Sequence, residues 1–279
     1  MRLPLKLLGK LVVLLAGCSG IAIAKVQTPT AVATEQPSLL AAAFDAFLAS
    51  QGRWAYVETH TSIGSNGKRT SESVLRIDPS LPYAQQTVPL KLNGQPPTEK
   101  QLKDWAAHNE EVARRRSENA NRQSSPENKE EFRLRVGKDD VTPLLDRASI
   151  IAEDNATVTY LVPMRLVGRV DAPLFETFQL TARVNKQQQQ FEHATLRQQK
   201  PYKIAAGTYS DGVIEIEFAQ PDAQFPATPT KRTLIQTNKP LFGKAHSMHE
   251  VIERTDFRHV TPYDERFGVK FGTLRTLQF

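Results

Sequence analysis

From Phe132 to Val260 the chain reads as a run of short segments that alternate apolar and polar residues, each closed by a turn. This pattern limits the fold more than any other feature. "VIEIEF" sets Ile214, Ile216 and Phe218 on one side and Val213, Glu215 and Glu217 on the other. "ETFQLTARV" sets Phe178, Leu180, Ala182 and Val184 against Gln179, Thr181 and Arg183, and "TVTYLVP", "RTLIQT" and "EVIERTDFRHV" continue the series. Turn residues recur at Asp154-Asn155, Asn185-Lys186, Asp211-Gly212 and Asn238-Lys239-Pro240, with Gln187 to Gln190 as a solvated hairpin end. A period of two means a strand with one covered and one wet face. Hairpin-length links without crossover helices mean antiparallel neighbours.

The N-terminal half adds two helices. Ser38 is placed to cap the first, with Leu39, Leu40, Ala43, Phe44, Phe47 and Leu48 on one broad face and Gln51-Gly52 as its stop. "RWAYVETHTS" and "SESVLRI" flank an Asn66-Gly67 turn and read as a hairpin, and "TVPLKLNG" reads as a further strand. Thr98 and Gln101 form a capping box for the second helix, whose apolar stripe is only Leu102, Trp105, Ala106, Val112 and Ala113. Glu110/Arg114 and Glu111/Arg115 stand at i,i+4 on its polar side, and so slim an apolar stripe suits an edge or mouth. The segment "SENANRQSSPENKEE" reads as a polar loop. The expected architecture is α+β, a mostly antiparallel meander in one domain over 38–260, with 261–279 as a tail or terminal strand.

The first 24 residues have the proportions of an export leader. Arg2, Lys6 and Lys10 precede an apolar run from Leu11 to Ala24, which is too short to span a bilayer comfortably as a helix. Two cleavage sites compete. Leu15-Ala16-Gly17-Cys18 matches the signal at which bacterial lipoproteins are cut and lipidated on Cys18, leaving 1–17 as the leader. Ala22-Ile23-Ala24 matches an ordinary signal-peptidase site before Lys25, and the leader's proportions lean towards release there. Residues 25–37, rich in Thr, Ala and Pro, read as a tether. Both routes imply a periplasmic protein, anchored at the outer membrane if Cys18 is acylated. Cys18 is the chain's one cysteine, so neither route leaves an internal disulfide or a thiolate site. Without the leader's three basic residues the formal charge falls from +6 to +3, a weak basis for nucleic-acid binding.

No catalytic or cofactor motif stands out. His246 and His249 are three apart on a strand, which sends them to opposite faces, so they read as surface histidines rather than metal ligands. Asp139-Asp140 reads as a solvated loop pair, and Glu215/Glu217 as the wet side of a strand. "GSNG" at Gly64 is a turn and not a nucleophile elbow, and no phosphate-binding glycine loop is present. Arg114-Arg115-Arg116 reads as helix-end cations. The terminal "FGVKFGTLRTLQF" puts Arg275 on the same side as Leu277 and Phe279, which disfavours a closing strand of a membrane barrel.

The order of leader, tether, amphipathic helix, "RWAYVETHT" strand, second helix and long meander resembles the bacterial periplasmic lipoprotein-carrier and lipoprotein-receptor class. "RIDPSLPYAQQTVPLKLNGQPPTEKQL" and "NKPLFGKAHSMHEVIERTDFRHV" resemble stretches of exported proteins of Gram-negative bacteria. The resemblance implies an open half-barrel with both helices across its concave face and an apolar cavity for a lipid or acyl chain. It implies no enzyme chemistry and no cofactor. The residues expected to line such a cavity are Leu40, Phe44, Phe47, Leu102, Trp105, Phe178, Leu180, Ile214, Ile216 and Phe218. Two other readings stay open: an envelope interaction module, and a hydrolase whose catalytic groups are dispersed in sequence and converge in a cleft.

Overall fold

The computed structural model describes residues 37–123, 133–136, 139–167, 174–204, 207–263, 265 and 276–278. The leader, Cys18 and the tether up to residue 36 lie outside these residues.

Helix α1 spans Pro37–Ser50. Pro37 occupies the first turn, where its missing N–H is no loss, so the helix starts one residue before its expected cap at Ser38. It ends where expected: Gln51 N–H donates to Leu48 O, and Gly52 takes the left-handed conformation at φ 71°. The hairpin of β1 (Trp54–Ile63) and β2 (Arg69–Ile77) turns at Asn66-Gly67. There Gly64 N–H donates to Lys68 O at 2.8 Å, and Asn66 Oδ1 accepts from Lys68 N–H at 3.0 Å. A turn of 3-10 helix at Tyr83–Gln85 leads into β3 (Thr87–Leu92).

Helix α2 spans Glu99–Gln123 and opens on the expected capping box. Thr98 N–H donates to Gln101 Oε1 at 2.8 Å, and Gln101 N–H donates back to Thr98 Oγ1 at 3.3 Å. The helix continues through "SENANRQ", where the polar composition implies a loop. That stretch holds no Gly or Pro before Pro126, so polarity alone does not break it.

The remaining strands are β4 (Arg133–Val136), β5 (Asp139–Pro143), β6 (Ser149–Glu153), β7 (Thr157–Val162) and β8 (Met164–Leu166). Then come β9 (Phe178–Asn185), β10 (Gln190–Gln198), β11 (Tyr202–Ile204), β12 (Gly207–Ala219), β13 (Thr228–Pro240), β14 (His246–His259) and β15 (Thr276–Gln278). Asp139 and Asp140 therefore begin a strand and are not in a loop. The fold is α+β with mostly antiparallel strands, as the alternation implied. One large open sheet of 11 strands runs β3-β2-β1-β14-β13-β12-β10-β9-β7-β6, with β11 paired to β12, and it does not close into a barrel. The N-terminal hairpin docks on the far end of the meander through β1 and β14. A second sheet of four strands runs β15-β4-β5-β8, and its β15–β4 pair is parallel.

The core lies where α1 meets the large sheet. Leu40, Ala43 and Phe47 bury against Val158, Tyr160 and Val162 of β7, Ala182 and Val184 of β9, and Phe191 and Leu196 of β10. Strand pairing sets side chains from neighbouring strands on one face, so each strand adds one layer to this floor. Helix α2 packs elsewhere, on β3 and the 3-10 turn at the sheet's edge.

Candidate functional site

The register resolves the covered face into continuous rows. One runs Val162, Leu180, Leu196, Ile214, Leu234, Glu250, Ser62, Ser71 from β7 to β2. The next runs Tyr160, Ala182, Ala194, Ile216, Arg232, Ile252, His60, Ser73, Leu92 from β7 to β3. Both rows are apolar as far as β12 and turn polar at β13 and β14. The opposite face carries a row of Thr159, Arg183, His193, Glu217, Lys231, Glu253, Thr59 and is the wet side.

The ten residues expected to line a cavity divide in two. Leu40, Phe47, Phe178 and Ile214 are buried in the core, with Phe44, Leu180, Ile216 and Phe218 half-buried against it. Edge-to-face contacts join helix to sheet: Phe47 to Phe218 at 5.7 Å, Phe47 to Phe191 at 6.2 Å and Phe44 to Phe191 at 6.3 Å between ring centroids. Helix α1 thus fills the middle of the apolar floor, and Ile216, Phe218 and Leu234 extend beyond it half-covered. Leu102 and Trp105 are not part of this group. Leu102 is 40% exposed. Trp105 Nε1–H donates to Thr87 O at 3.1 Å, and the Asn109 side-chain amide donates to the same carbonyl at 2.8 Å. These bonds fasten α2 to the start of β3.

At the polar end of the rows stands a cluster that the sequence reading did not single out. Glu58 is 8% exposed, and its carboxylate is shared by two donors. His60 Nε2 lies 2.6 Å from Glu58 Oε1, and Arg254 Nε–H donates to Glu58 Oε2 at 2.7 Å. Arg254 also covers the Tyr56 ring at 4.8 Å from its centroid. Across β14, Arg232 donates to Glu250 Oε2 at 3.1 Å, and Glu250 Oε1 is 3.9 Å from His60 Nδ1, beyond direct hydrogen bonding. Burial pushes the Glu58 carboxyl up, but the His60 hydrogen bond and the Arg254 charge overcome it, leaving Glu58 below its ordinary range. The carboxylates of Glu250 and Glu58 raise His60 to about 9, so the ring is an imidazolium at neutral pH. Glu58 and His60 were legible as neighbours on one strand face, two residues apart. Their partners on β13 and β14 come only from the pairing.

A cleft of about 230 Å³ opens beside this cluster, lined by His60, Ser62, Ser71, Ser73, Asn93 and Glu250 among others. It is the polar continuation of the apolar floor. The other candidate positions fall as follows. His246 and His249 lie on β14 opposite Asn238 and Ile235 and point to opposite faces. Glu215 and Glu217 are exposed. Arg114 and Arg115 both bond Glu111. Among the described residues no group of three or more His, Cys, Asp or Glu is arranged to hold a metal ion. No described helix is long and apolar enough to cross a membrane.

No family model, curated protein or solved structure matches this chain.

Proposed function

We propose that this is an exported, non-enzymatic binding protein of the bacterial cell envelope. Its ligand is a lipid, an acyl chain or a similar apolar molecule that lies on the sheet face beside α1. The observation that carries the reading is an apolar floor wider than the helix on it: Ile216, Phe218 and Leu234 stay half-covered at the margin of α1. An acyl chain laid along that margin would gain by removing apolar surface from water, with little directional chemistry. Helix α1 covers the middle of the floor through Phe44 and Phe47 and leaves its margin for the ligand. On this reading the open sheet is a half-barrel with α1 across its concave face and α2 at its rim. The polar group of the ligand faces the His60 and Glu250 cleft. Release from the leader at Lys25, or tethering through a lipidated Cys18, puts the protein where lipids and lipoproteins pass between membranes.

A hydrolytic reading draws on the Glu58, His60 and Glu250 cluster. It is the weaker one, because a histidine held protonated to about pH 9 cannot accept a proton as general base near neutrality.

Titration of the full chain with a fluorescent polyene fatty acid tests the binding reading. Saturable binding that Ile216→Glu and Leu234→Gln each weaken about tenfold, with unfolding temperatures checked in parallel, supports it. Absence of saturable binding to the native chain removes it.

A further inference from the structure

The hairpin of β13 and β14 carries an apolar tip that nothing among the described residues covers. Its turn holds Leu241, 68% exposed, and Phe242, 93% exposed, where turn chemistry favours Asn, Asp, Gly or Ser. Ile235 and Met248, at 45% and 43%, lie further down the two strands on opposite faces, Ile235 opposite His249 and Met248 opposite Gln236. Single exposed apolar residues are ordinary, but Leu241 and Phe242 are adjacent at one hairpin tip and are the two most exposed large hydrophobics among the described residues. The end also projects. Pairing of β14 with β1 stops at His249 opposite Ile63, so His246, Ser247 and Met248 have β13 on one side and no β1 partner on the other.

Lysines outnumber acids around the tip, where Asp211 in the β12 bulge between Ser210 and Val213 is the acid beside β13. Lys239 and Lys244 flank Leu241 and Phe242 and are exposed. The register sets Lys203 of β11 and Lys239 on one face through Thr208. No Asp or Glu occurs between Asp222 and Glu250. Glu250, the nearest acid along β14, is held by Arg232 and stands beside His60. An apolar point with a cationic collar fits one kind of surface: acyl chains beneath an anionic headgroup layer. A protein groove would also accept Leu and Phe, but it gives no reason for three lysines against one acid around them.

We propose that the β13–β14 tip is a membrane-docking point. Leu241 and Phe242 enter the headgroup boundary of an anionic bilayer, and Lys203, Lys239 and Lys244 meet its phosphates. The contact is peripheral and reversible, because two side chains are far short of a spanning segment. It rests on residues apart from the ligand face, so its test is independent of the acyl-binding reading.

The test uses the full chain with Cys18→Ser and Phe242→Cys, labelled at residue 242 with an environment-sensitive nitrobenzoxadiazole. A matched chain carries the label at Gln188→Cys, an exposed turn at the opposite end of the sheet. Vesicles are phosphatidylcholine alone or mixed equally with phosphatidylglycerol. The expected result is a several-fold rise and blue shift at 242 with the anionic vesicles, none at 188, and loss of the anionic preference on Lys239→Glu/Lys244→Glu. In the otherwise unaltered chain, Phe242→Asp lowers vesicle partitioning about tenfold with unfolding temperature unchanged, since the side chain has nothing to unpack. A label at 242 that responds no more than one at 188, or equally with both vesicle types, overturns the proposal.

Discussion

His60 and Glu58 sit two residues apart on β1 and meet side by side, Nε2 to Oε1 at 2.6 Å, on the same face as the apolar floor. The pair makes the fold's stability depend on pH in a defined direction. His60 is raised from 6.5 to about 9, so its contribution is complete below pH 6.5 and fades as pH climbs through 9. Glu58 and Glu250 are lowered from 4.5, so their contributions are complete above that value and fade as pH falls further. Stability should therefore peak between about pH 5 and 7 and decline on the alkaline side as His60 loses its proton. His60→Gln should flatten that alkaline decline. A proton NMR titration of the His60 ring should give a midpoint near 9; a midpoint near 6.5 would mean that the pair is open in solution.

Arg254 is the second donor to Glu58, at 2.7 Å. Arg254→Ala leaves a largely buried carboxylate short of a partner and should cost about 1–3 kcal/mol in denaturant unfolding at pH 7. Adding Glu58→Gln should recover part of that loss, because the unmatched charge is gone. A double variant no more stable than Arg254→Ala would show that the arginine acts through its packing on Tyr56 instead.

Two of the three leucines expected to line one cavity should behave oppositely. Leu40 is 1% exposed at the centre of the α1 interface, and Leu40→Ala should cost about 2–5 kcal/mol. Leu102, 40% exposed on α2, should tolerate Ala within about 0.5 kcal/mol. Equilibrium urea unfolding of the two variants gives both numbers.

Trp105 fastens α2 at the sheet edge, apart from the core. Trp105→Ala should let α2 open locally while the amides of β9 and β10 keep their protection in hydrogen exchange. The local cost is about 1–3 kcal/mol, the loss of an indole's packing and its bond to Thr87 O. Parallel loss of protection in β9 and β10 would mean that α2 and the core unfold as one unit.

Local signals and pairing signals were not equally readable. The alternation in "VIEIEF", the Asn66-Gly67 turn and the Thr98/Gln101 capping box each depend on residues within a few positions, and each appears where expected. β10 was missed because Gln-rich "QFEHATLRQ" hides two core residues, Phe191 and Leu196, with a bulge between Phe191 and His193 that breaks the alternation. The second sheet was missed because β15 joins β4 across most of the chain, in parallel, through three residues. The Glu58, His60, Arg232, Glu250, Arg254 cluster was not singled out, and only its first two members lie on β1. The others arrive because β14 pairs with β1, and local periodicity carries no information about which strand that will be.

Native mass spectrometry of the full chain, isolated from its own envelope without added lipid, tests the binding reading most directly. The account predicts a non-covalent adduct of lipid mass on the native chain, absent from Ile216→Glu, with any N-terminal acylation persisting after denaturation. Bare protein in native and variant samples alike, with no adduct beyond covalent acylation, would contradict it.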